Sequence, residues 1–162
     1  MGTVLPIAFS VVALGFSIYV FIDSRRRDRR DVFLKIHELL ISNDLQRGRY
    51  LLFQRVTDEA SVQKLSDQEY RDVNRALATY ETLGLYLENG YVSKRDVMDI
   101  WAEAICRAWH VGQPFIAHRE RNHGYRPWPH FEALARAAEA NLASRGVAMK
   151  YPALRESRDS QL

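Results

Sequence analysis

Residues Thr3 to Ile22 read TVLPIAFSVVALGFSIYVFI, a run without a single formal charge. All 23 Lys and Arg and all 20 Asp and Glu residues come after it. As a helix rising 1.5 Å per residue, the run spans about 30 Å, the thickness of a bilayer's hydrocarbon core. Its mean hydropathy is about +2.2, against about −0.7 for the rest of the chain. Pro6 falls in the first turn, where a missing N–H costs little. The pattern predicts one transmembrane helix joined to a polar piece. It excludes a multi-pass protein, and the single cysteine, Cys106, excludes a disulfide scaffold.

A cleaved signal peptide would need a basic start, a shorter apolar run and small residues at a cleavage site. Here the run ends directly in SRRRDRR, so a retained anchor is expected. Arg25, Arg26, Arg27, Arg29 and Arg30 follow the span and no Lys or Arg precedes it. The positive-inside rule then places the N-terminus outside and residues 23–162 in the cytoplasm of the cell membrane. These five arginines are the lipid-proximal residues, and setting the topology is their main expected role. Asp23 to Asp31 carries five Arg and three Asp, which accounts for most of the net charge of +3. The basic balance therefore marks a collar beside the bilayer and not a nucleic-acid face.

Beyond the collar the pattern is all-α. Val32, Phe33, Ile36, Leu39 and Leu40 form a stripe that can continue the membrane helix, broken near Ser42-Asn43-Asp44. Leu45, Arg49, Leu52, Phe53 and Val56 trace a second helix, followed by a loop over 57–65. Ser66 and Glu69 make a capping box ahead of Tyr70, Val73, Leu77, Tyr80, Gly84 and Leu87, and Asn89-Gly90 stops that helix. Gly84 is expected to admit a close helix neighbour. Ser93 and Asp96 suggest a second box before Val97, Ile100, Trp101, Ala104, Ala108 and Trp109, with an end near Gly112. Pro114 then opens a short helix to Arg121. The last helix runs from Pro129 to Ser144 with Phe131, Leu134, Ala135, Ala138 and Leu142 inward. The expected organisation is a transmembrane helix 3–22, a basic juxtamembrane helix 23–41, a helical domain of four to five helices over 42–146, and a mobile tail 147–162.

Several of these residues carry a resemblance. Tyr80-Glu81 with Gly84, the Gly90 turn, Trp109, Pro114-Phe115-Ile116 leading to Arg119, and Trp128-Pro129 with Phe131-Glu132 resemble a group of uncharacterised bacterial and phage proteins known only as a domain of unknown function. The resemblance implies one membrane helix followed by a small cytoplasmic helical domain. It supplies no catalytic residue.

Chemistry-bearing motifs are sparse. His110, His118, His123 and His130 are spaced by eight, five and seven residues, and none forms the i, i+4 pair that puts two imidazoles on one helix face. Cys106 and His110 are so spaced, but two ligands do not close a metal site. There is no nucleophile elbow and no glycine-rich phosphate loop, so no cofactor is called for. The candidate polar cluster is Glu81, His118 and Arg119. A pairing of Glu81 with Arg119 would be a structural ion pair or the floor of a polar pocket. Arg121, Arg126 and Trp128 form a candidate anion and aromatic patch, diluted by Glu120 and Glu132.

Two functions fit. The first is a membrane-anchored scaffold whose partners are the lipid bilayer and another protein at the cytoplasmic membrane face. The second is a membrane-tethered enzyme or anionic-ligand sensor built on Glu81, His118 and Arg119. The sequence does not set an oligomeric state.

Overall fold

The computed structural model describes the backbone of residues 4–147 and the side chains of 14–147 apart from Ile22, Arg25, Arg26 and Asp28. The tail expected over 147–162 lies almost wholly outside the described residues. Six helices and no strand are found among those described: α1 Val4–Ile41, α2 Asn43–Arg55, α3 Glu59–Gln63, α4 Asp67–Glu88, α5 Lys94–His123 and α6 Pro129–Ser144.

The 38 residues of α1 run unbroken through the apolar segment and the arginine collar. Its two halves differ in packing. Leu14, Phe16, Ile18, Tyr19, Val20 and Phe21 are 47–68% exposed, whereas Ile36 and Leu40 are buried. Among the described residues no helix is long and apolar enough to cross a membrane. The side chains of residues 4–13, half of the charge-free run, lie outside the described ones. Leu39, placed on the inward stripe by its spacing, is exposed.

Ser42 precedes α2 as its cap residue, although its side chain makes no capping bond. The loop expected over 57–65 holds the short helix α3, closed by a reciprocal box between Asp58 and Ser61. The box at α4 forms as its spacing predicts. Glu69 accepts from the Ser66 backbone N–H at 2.9 Å, and Ser66 Oγ accepts from the Glu69 N–H at 3.3 Å. The Ser66 bonds hold the Glu69 carboxyl below its ordinary range. At α5 one arm forms, from the Asp96 N–H to Ser93 Oγ.

The expected break near Gly112 and fresh start at Pro114 are not seen: α5 is one 30-residue helix with Pro114 inside it. Gly112 is buried because Leu77 lies against it, at 3.3 Å from where a Cβ would stand, so it marks a helix crossing and not an end. Ile100, assigned to the inward stripe of α5, is 54% exposed.

The core sits where α6 packs on α4 and α5, with α2 also packed on α4. Phe131 is its centre, stacked on Tyr80 and meeting Trp109 edge-on, each at 5.0 Å between centroids. Gly84 makes this approach possible, since a Cβ there would stand 2.3 Å from the His130 carbonyl oxygen. Gly48 does the same for α2, where a Cβ would meet the Asp72 carbonyl oxygen at 2.3 Å. All five predicted inward residues of α6 are buried.

Candidate functional site

Glu81 lies on α4 beside Gly84 and faces the start of α6. Pro129 opens α6 and has no N–H, which leaves the His130 and Phe131 amides as donors of its first turn without a partner in the helix. Glu81 Oε2 accepts that N–H at 2.7 Å. The carboxylate thus does from a neighbouring helix what an N-cap side chain does locally, and the positive end of α6 favours its charge. His130 sits between two acids, with Nδ1 2.6 Å from Glu88 and Nε2 4.0 Å from Glu81.

Arg119 does not pair with Glu81. Its guanidinium donates to Asn74 Oδ1 and lies 5.0 Å from the Trp128 ring centre. Asn74 and Glu81 are seven residues apart on α4, about 10 Å along the axis. The expected ion pair fails for a physical reason: each charge has a nearer polar partner on the element it faces. His118 contacts Asn122 at 2.9 Å and lies edge-on to Tyr70. The three residues expected as a polar cluster each serve a different local contact.

The predicted patch of Arg121, Arg126 and Trp128 is likewise divided. Arg121 pairs with Glu59 of α3. Arg126 pairs with Glu132 at 2.9 Å. Trp128 stacks on Phe115 at 6.2 Å and precedes α6 in the left-handed region, φ 61° and ψ 57°. It is the one non-glycine residue with positive φ among the described residues. The stack and the Arg119 contact hold it in a conformation that L residues adopt at a cost.

Other polar contacts escaped the sequence. Asp72, buried in α4, meets Arg47 at 3.2 Å and accepts from Gln68 at 2.8 Å. Tyr80 is fully buried, which raises its hydroxyl pKa, and it accepts from Arg49 at 3.5 Å. His110 meets Glu139 of α6 at 2.8 Å. Cys106, one turn before His110, is buried, and burial with the Glu139 charge pushes its thiol up to about 12. It is a packed thiol and not a nucleophile at neutral pH. No group of three or more metal-ligating side chains occurs among the described residues. The His37 ring lies tilted at 59° to Trp101 with 5.5 Å between centroids, joining the end of α1 to α5.

At that same junction a groove of about 480 Å³ opens between α1 and the start of α5. Arg29, Arg30, Phe33, Leu34, Ser93 and Asp96 line it.

These features define an all-helical bundle carried on one long N-terminal helix. The chain belongs to the family described as Domain of unknown function (DUF4760), whose model matches residues 7–138. No curated protein and no solved structure matches it.

Proposed function

We propose that this protein is a single-pass, membrane-anchored helical module that binds another protein at the cytoplasmic membrane face. The observation that carries the proposal is the contrast within α1: one continuous helix whose second half packs on the bundle while the described apolar side chains of its first half are left uncovered. Burying each of six such side chains is worth about 1.5–3 kcal/mol, so water is a poor setting for them. A bilayer suits a charge-free run of this length, and the arginines on one side favour a cytoplasmic bundle. The family match begins at residue 7, inside the run, so the run is part of the family's domain. An unbroken helix from span to bundle would hold the bundle at a fixed distance from the membrane.

Tyr50, Tyr91 and Ile100 are each more than half exposed and are the contact residues we assign to the partner. The alternative, an enzyme or ligand sensor on Glu81, His118 and Arg119, has no geometric feature in its favour, since each of the three is engaged by a structural neighbour. A photo-crosslinking residue placed at Tyr50, Tyr91 or Ile100 of the full chain in membranes tests the interaction. A discrete adduct from at least one position, and none from exposed Gln63, is expected. The same background at all four positions would contradict it.

A further inference from the structure

We propose that the groove between α1 and α5 seats the headgroup of an anionic phospholipid whose headgroup carries hydroxyls; this rests on the membrane anchoring proposed above. The first observation is a census of the arginines with described side chains. Arg27, Arg47, Arg55, Arg75, Arg95, Arg121, Arg126, Arg136 and Arg145 each meet a carboxylate. Arg49, Arg71, Arg107 and Arg119 each have a hydrogen bond or a ring contact. Arg29 and Arg30 alone among them have neither, and both line the groove.

The second observation is direction. Side chains on a helix lean toward its N-terminus, and the N-terminus of α1 is the membrane end. Arg29 is seven residues past Ile22, about 10 Å along the axis, against a headgroup layer of about 5–8 Å. A long flexible stem covers the remainder. Phe33 and Leu34, one turn further on, form the apolar floor behind the two guanidiniums.

The third observation is charge. Two guanidiniums suit one phosphate, which they can hold with charge-assisted bonds. Asp96 on the opposite wall leaves the groove with one net positive charge, matched by a lipid of one net negative charge. Its carboxylate accepts from headgroup hydroxyls. Phosphatidylglycerol supplies both the single negative charge and the hydroxyls; phosphatidylcholine has no net negative charge, and phosphatidylserine has no headgroup hydroxyl and offers an ammonium instead.

The test uses the full chain in an uncharged detergent, titrated with short-chain phosphatidylglycerol, phosphatidylserine, phosphatidylcholine and inorganic phosphate. Saturable binding of phosphatidylglycerol is expected, at least about tenfold tighter than phosphatidylcholine. It should weaken at least about tenfold in Arg29→Gln/Arg30→Gln and persist in Arg71→Gln/Arg136→Gln, which loses equal charge outside the groove. The Arg29→Gln/Arg30→Gln variant should keep the parent's far-ultraviolet circular dichroism, so that lost binding is not lost folding. Phosphatidylserine or phosphatidylcholine binding as tightly as phosphatidylglycerol, an unaffected Arg29/Arg30 variant, or inorganic phosphate binding as tightly as the lipid would each overturn the proposal. Alkaline carbonate extraction of membranes separates the two readings. Release of the chain defeats the anchor whatever the titration gives, and a retained chain with no lipid preference defeats only the groove.

Discussion

Glu81 and Arg119 illustrate what single residues contribute here. Glu81 holds the Phe131 amide in the first turn of α6, and its loss costs what a cap costs, about 0.5–2 kcal/mol. Arg119→Ala removes a hydrogen bond and a contact with Trp128, about 1–3 kcal/mol, and strands no buried carboxylate. In thermal or urea unfolding the two losses should add to within about 0.5 kcal/mol. Glu81→Gln combined with Arg119→Met should bring no rescue. A recovery of 2 kcal/mol or more would mean that the two are an ion pair after all. Cys106 gives a pH signature. Its thiol titrates near 9.0 when unconstrained and at about 12 in the fold, so the folded state binds the proton more tightly. The stability it contributes is complete below about pH 9 and is lost as pH rises from there toward 12. At pH 8.5 iodoacetamide should leave Cys106 unmodified in the native protein and label it in urea. Labelling at the same rate in both would contradict its burial. The burial of Cys106 was legible from its apolar setting beside Ile105. The partners of Glu81, Asp72 and His110 were not, because each lies on another helix and no local spacing encodes it.

Elements were legible where the signal is local. The Ser66 and Glu69 box, the Asn89-Gly90 stop and the inward face of α6 each depend on residues within two turns of one another. The path of α5 was not legible. Gly112 and Pro114 spell a helix end by local rules, yet the packing of Gly112 on Leu77 and of Phe115 on Tyr70 carries the helix through. Tertiary contact outweighed the roughly 3 kcal/mol that an interior proline costs. Gly84 was legible as a point of close approach, and it supports a prediction of sign. Helix propensity alone makes Gly84→Ala stabilising by about 1 kcal/mol. The His130 carbonyl standing where the Cβ would go reverses this to a net loss of about 1–3 kcal/mol. A denaturant midpoint unchanged or raised by Gly84→Ala would show that α4 and α6 are further apart than described.

At the scale of the molecule, α1 sets the arrangement. The same helix carries the charge-free run, the collar, the groove wall and the contacts of Ile36 and Leu40 with the bundle. The run was visible in the sequence because charge is excluded from it so sharply. The groove was not, because it exists only once α1 and the start of α5 meet. The central claim is that this helix anchors the bundle to the cytoplasmic face. Fusing either a fluorescent protein or a periplasmic phosphatase to the C-terminus, in cells whose membranes are then washed with alkaline carbonate, tests it directly. The expected result is a carbonate-resistant chain with a fluorescent reporter and an inactive phosphatase. A chain released by carbonate, or an active phosphatase, would contradict it.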